Sequence, residues 1–143
     1  VKAIVVDASV AVKWVVEEQH SAEAALLLQC ETLHAPDHWQ AEAVNALWAK
    51  VAKADLPTAD AEEGIRLLLR APVSGTPIRA LIARAFAISL AQSVTVYDSL
   101  YVALAEKLDI PFVTADQKLI RRMAGQAGNV ARARWIGDFA LPS

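Results

Sequence analysis

The stretch VKAIVVDASVAVKW, residues 1–14, carries the reading of the fold. Ala3-Ile4-Val5-Val6 is short, β-branched and apolar on both faces, the pattern of a strand buried in a parallel sheet. The run stops at Asp7, and Ser9 is placed to cap a helix running toward Val16. A carboxylate at this point is either a turn residue or one wall of a site. The rest of the chain has to separate the two.

The opening is not expected to be a leader, because Asp7 and Lys13 interrupt its apolar run too early for a secretory segment. Residues 80–97 are also apolar, but Arg84 and Gln92 break a run already too short to span a bilayer. The lone Cys30 forms no internal disulfide and suits a reducing cytoplasm. With 143 residues, 55% of them hydrophobic and 21% charged, one domain over 1–143 is expected, with a core of its own. A net charge of −2 excludes a globally basic nucleic-acid binder and leaves room for a local basic patch.

Working outward, residues 20–30 read as a second helix and Leu33-His34-Ala35-Pro36 as an extended link or strand. An alanine-rich helix follows over about 38–54, then one from Thr58 to about Leu69. Pro72, Gly75 and Pro77 mark a connector around a short extended piece, before a helix over 78–92. Val94 to Tyr97 lead into Asp98 and a helix over 99–108. Residues 110–114 form a second clear buried strand, then comes a short basic helix over 117–124 and a last strand near 130–135. Helices alternating with short apolar strands predict an α/β fold on a parallel sheet.

Two strands end alike. Val5-Val6-Asp7 and Val113-Thr114-Ala115-Asp116 each put an aspartate at or just past a carboxyl end, the edge where open parallel sheets bind ligands. If the strands are neighbours, about 5 Å apart, both carboxylates face one pocket. Asp98 joins them from a helix start. Each aspartate alone is a common helix cap. Packed together they repel, raise each other's pKa and suit a hard divalent cation such as Mg²⁺ or Mn²⁺. On the long helix, His38, Glu42, Asn45, Ala49 and Lys53 share a polar stripe opposite Ala41, Val44, Leu47, Trp48, Val51 and Ala52. Periodicity reads that stripe as solvated surface, and spacing does not separate this from the lining of a cleft.

The ordered set Asp7-Ala8-Ser9, Glu42, Tyr97-Asp98 and Thr114-Ala115-Asp116 resembles a PIN domain. At this size it is similar to VapC-type toxin ribonucleases of toxin–antitoxin pairs, from Val1 to about Met123. The resemblance implies three α/β/α layers with a short, mainly parallel sheet. It implies a catalytic set of Asp7, Glu42, Asp98 and Asp116, with Asp7, Asp98 and Asp116 as the metal ligands. Ser9, Asn45 and Thr114 match its supporting positions. The activity implied is Mg²⁺- or Mn²⁺-dependent hydrolysis of RNA by an activated water, leaving a 5′-phosphate, under inhibition by a VapB-type antitoxin. Such chemistry needs the charge of the phosphodiester neutralised.

To attract a polyanion beside acids, Lys13, Lys53, Lys118, Arg121 and Arg122 are the candidate RNA contacts. Trp39 and Trp48 are expected in the core or in a homodimer seam, and Trp14 as a half-buried anchor or a stacking platform. The competing readings are a PIN-like module that binds RNA or protein without cutting, and a metal-dependent phosphatase. The phosphatase reading is weakened by serine at position 9, where that chemistry needs a second acid. Neither glycine-rich nucleotide motif occurs.

Overall fold

The computed structural model describes residues 3–30, 32–124 and 132–139. Five strands make one sheet: β1 (Ala3–Val6), β2 (Thr32–Pro36), β3 (Val73–Thr76), β4 (Phe112–Thr114) and β5 (Ala133–Trp135). Their order is β3-β2-β1-β4-β5, with every neighbouring pair parallel. Parallel neighbours require crossovers. The helices are α1 (Ala8–Ala11), α2 (Ser21–Leu27), α3 (Trp39–Ala52), α4 (Thr58–Leu69), α5 (Ile82–Gln92), α6 (Val96–Leu108) and α7 (Gln117–Ala124).

Alternation along β1 sends Val5 into one apolar cluster and Ile4 and Val6 into another. The first cluster holds Trp39, Ala43 and Leu47 of α3, Ala85 and Ile88 of α5, and Leu100 to Ala105 of α6. The second holds Ala24 and Leu27 of α2 with Ile136. The sheet is therefore sandwiched between two helical layers, as expected. Helix α6 is the innermost, with Ser99 through Ala105 all buried. Its small residues let α5 come close, and Ser99 Oγ sits 2.9 Å from Ser89 Oγ.

The strand order reverses between β1 and β4, so the crevice at their carboxyl ends is the switch point where such sheets bind ligands. The Asp7 backbone N–H donates to the Val113 carbonyl at 3.0 Å, which holds the two strand ends level.

Several expectations are corrected. Ser9 lies inside α1 rather than capping it, and Asp7 occupies the cap position without a side-chain cap bond. The helix expected toward Val16 is one α turn followed by a 3-10 turn, Val12–Trp14. The helix expected over 78–92 divides into a 3-10 turn, Ile78–Ala80, and α5. The short extended piece expected around Gly75 is present as β3, which pairs with β2. Val130, in the last strand as read from sequence, lies outside the described residues. On α3 only Trp39, Ala43 and Leu47 are buried, and Trp48 is 66% exposed. The helix rests on the core along one line flanked by half-buried Ala46 and Val51, and Trp48 stands outside it, uncovered among the described residues. Trp14 is an anchor, its indole Nε1–H donating to the Ala24 carbonyl at 2.9 Å.

Candidate active site

Asp7 is delivered by β1 to the switch point and is 7% exposed. The Ser9 hydroxyl donates to its Oδ2, and the Thr114 hydroxyl donates to the same oxygen at 3.0 Å. Each hydroxyl in turn accepts a backbone N–H from the turn after β4, Ala115 N to Ser9 Oγ at 3.0 Å and Asp116 N to Thr114 Oγ1 at 3.1 Å. Of these four hydrogen bonds around one carboxylate, two, from Thr114 to Asp7 and from Ala115 to Ser9, tie the β1 and β4 ends together. Among the described residues Oδ1 takes no hydrogen bond.

The cap alternative is settled differently at each aspartate. Asp116 is a cap: its Oδ1 accepts the N–H groups of Lys118 at 2.9 Å and Leu119 at 3.1 Å, in the first turn of α7. Asp98 is not, because Thr95 caps α6 by accepting the Asp98 N–H at 3.1 Å, and Asp98 stands in the first turn. Asp7 is at a cap position but spends its carboxylate on hydroxyls.

Burial pushes the Asp7 carboxyl up from 3.8 to about 6; the Ser9 and Thr114 bonds oppose this, and the charges of Asp98 and Glu42 add to it. Asp98 is raised as well, first by burial and then by Asp116 and Glu42, against the Thr95 bond and the pull of Arg122. The four acids therefore feel one another across a single crevice.

Glu42 is on α3 one residue before buried Ala43, which turns it to the flank over the crevice. Tyr101, fully buried on α6, donates its hydroxyl to Glu42 Oε1 at 2.6 Å. His38 Nε2 lies 3.2 Å from the same oxygen, close enough for an ion pair but outside hydrogen-bond alignment. Burial lowers the His38 pKa, and the Glu42 carboxylate, the Tyr97 backbone and the Asp7 charge together outweigh this and raise it. The Tyr101 ring stacks on Phe112 at 5.6 Å and meets His38 at 5.0 Å. His38, Ala41, Glu42, Asn45 and Tyr97 line a cavity of about 340 Å³. The polar stripe of α3 is cleft lining for its first three members.

Of the cations, Lys118, Arg121 and Arg122 are exposed on α7, whose Leu119 and Met123 are buried. Lys13 is a different case. Its side chain is 10% exposed and its ammonium is bound to Glu18 Oε1 at 3.2 Å and the Gln19 carbonyl at 2.6 Å, a pairing that speaks against it as an RNA contact. Sequence reasoning missed Tyr101. Its signal was a tyrosine inside the run Leu100 to Ala105, where a buried hydroxyl must find a partner.

The donor set is all oxygen and carries excess negative charge, which fits a hard divalent cation. Among the described residues no three His, Cys, Asp or Glu side chains stand together as a ready metal site. A divalent ion here would be held by one or two carboxylates directly and by the others through water.

Comparison with known proteins bears on the family and the fold. The profile described as PIN domain matches residues 4–126. The chain belongs to the PIN domain family. Its relatives include Ribonuclease VapC12 of Mycobacterium tuberculosis, 34% identical over 116 residues, 81% of this chain and 88% of that protein. Ribonuclease VapC3 of Pyrobaculum aerophilum is 32% identical over 122 residues, covering 83% and 93%. The crystal structure of PAE2754 from Pyrobaculum aerophilum shares the fold with a TM-score of 0.69 at 20% identity, over 94% of this chain and 90% of that one.

Proposed function

We propose that this PIN domain, read as one unit over 1–143, is a divalent-metal-dependent endoribonuclease and the toxin of a toxin–antitoxin pair. The observation that carries this is the buried Asp7 carboxylate, held only by hydroxyls and pushed up by burial and by neighbouring acids. Buried charge without a counter-ion is costly, so the crevice is built for a cation that arrives from outside. The relatives' name, ribonuclease, supplies the substrate class.

A bound Mg²⁺ or Mn²⁺ offsets the charge of the phosphodiester and acidifies an attacking water. Asp7 and Asp116 would hold it with the oxygens that their hydroxyl and amide donors leave open, and Asp98 would complete the set. Ser9 and Thr114 fix the Asp7 rotamer. Glu42, with Oε1 held by Tyr101, keeps Oε2 for orienting the water or accepting its proton, and Asn45 lies one turn further along the same wall. The expected product carries a 5′-phosphate. Cleavage is expected to need Mg²⁺ or Mn²⁺, to stop with chelator, and to fall by at least about 10²-fold in Asp98→Asn. Full activity in that variant removes Asp98 from the site, and tight metal binding with no turnover on any RNA overturns the ribonuclease reading in favour of a binding module.

Lys118, Arg121 and Arg122 would take the RNA backbone. Replacing all three with alanine should flatten the dependence of log affinity on log salt by ~0.7 for each single-strand phosphate that is no longer neutralised. An unchanged slope removes these residues from the interface.

Among the described residues no helix is long and apolar enough to cross a membrane. The reading is of a cytoplasmic protein. Trp48 on α3 and Ile82, Phe86 and Leu90 along α5 are exposed, and an apolar stripe at four-residue spacing suits a homodimer seam or a VapB-type antitoxin.

A further inference from the structure

Tyr97 is next to Asp98 in the first turn of α6, yet its ring is 64% exposed while Asp98 is drawn inward. The ring is backed by His38, with centroids 6.3 Å apart and planes 33° apart. It borders the cavity of about 340 Å³ that also contains Glu42 and Asn45, within the usual ~300–1,000 Å³ of small-ligand pockets. The wall thus combines a planar aromatic face, the small Ala41 and a side-chain amide, beside one of the four acids. Core packing does not account for so exposed a ring, and the acid chemistry makes no use of it.

We propose that this cavity seats a nucleobase of the RNA adjoining the phosphate held at the acids, with Tyr97 as its stacking face and Asn45 as the polar group at its edge. Nucleobases have a π face and a polar rim, and unpaired bases are the part of RNA that proteins read in this way. The seat shares Glu42 with the acid crevice, so base and phosphate belong to neighbouring parts of one strand. The proposal rests on the ribonuclease reading and adds a subsite to it. The rival occupant is a second copy of this chain, because Tyr97 and His38 also border an apolar cavity of about 410 Å³ containing Ile78 and Ile82.

The test uses an RNA that the wild type cuts at a mapped position, and the same RNA made abasic beside that position. Tyr97→Ala should lower kcat/KM on intact RNA by about 5- to 150-fold, the ~1–3 kcal/mol of one stacked base, while Tyr97→Phe and Tyr97→Trp keep it. On the abasic RNA wild type and Tyr97→Ala should be equal. With 2-aminopurine at the same position, binding to Asp98→Asn should quench its emission, and adding Tyr97→Ala should remove the quenching. Equal cleavage of intact RNA by wild type and Tyr97→Ala overturns the base seat alone. A dimer that dissociates in Tyr97→Ala, by size-exclusion chromatography, assigns the face to the second copy and also overturns it. Failure of the wild type to cut any RNA with either metal overturns the ribonuclease reading, and this proposal with it.

Discussion

Asp7→Asn is expected to abolish RNA cleavage and, at pH 7.5 without metal, to raise the melting temperature. The two effects have one cause. The Asp7 carboxyl titrates near 6 in the folded chain against an ordinary 3.8, chiefly through burial, with Asp98 and Glu42 adding to the shift. The folded state therefore holds this proton more tightly than the unfolded state. The related stability is complete below about pH 4 and is lost as pH rises through 6. About two pH units correspond to ~3 kcal/mol, which the ionised carboxylate costs the metal-free protein at neutral pH. Asp7→Asn keeps an oxygen for the Ser9 and Thr114 hydroxyls but carries no charge. Its melting temperature should exceed the wild type's by several degrees at pH 7.5 and by little at pH 4.5. Millimolar Mg²⁺ or Mn²⁺ should stabilise the wild type and leave the variant unmoved. A variant that is less stable at neutral pH would make Asp7 a structural turn residue, and one that still cleaves would remove it from the site.

Tyr101 separates packing from positioning. Tyr101→Ala empties a fully buried position stacked on Phe112 and touching His38. Its expected cost is ~3–5 kcal/mol, a large part of the ~5–15 kcal/mol that keeps a domain folded. Tyr101→Phe keeps the ring and loses the hydroxyl that donates to Glu42 Oε1 and faces the Ala8 N–H. Since Glu42 is partly exposed, water can replace that donor, and the stability cost should stay near ~1 kcal/mol. If Tyr101 fixes the Glu42 rotamer, kcat should fall about tenfold with KM unchanged, because a loosened carboxylate loses orientation and not its hold on the substrate. A KM effect without a kcat effect, or loss of folding in Tyr101→Phe, would show that the hydroxyl does something else.

The strands were legible wherever an apolar run ended sharply. Ala3-Ile4-Val5-Val6 before Asp7 and Phe112-Val113-Thr114 before Asp116 both proved to be central strands, since segments buried on both faces leave continuous hydrophobic runs. The edge strand Val73–Thr76 was faint, being four residues around Ser74 and Gly75 with little to bury. Ser9 was misread as a cap because a hydroxyl beside a helix start has two uses. The choice between them depended on Thr114 and Ala115, more than 100 positions away. Trp48 was placed on the apolar side of α3 by periodicity, which records which residues share a face and not whether the chain covers it.

Taken by itself, the sequence determined the α/β class, the positions of its main strands and helices, and the order of the four acids. Propensity, period and chain punctuation are local properties. That Asp7, Glu42, Asp98 and Asp116 face one crevice was decided only by the tertiary structure. Like charges do not gather of their own accord. They are held together because β1 pairs with β4 at the switch point and because α3 and α6 pack on the same face of the sheet. The hydrophobic burial that drives those non-local contacts outweighs the repulsion it leaves among the carboxylates.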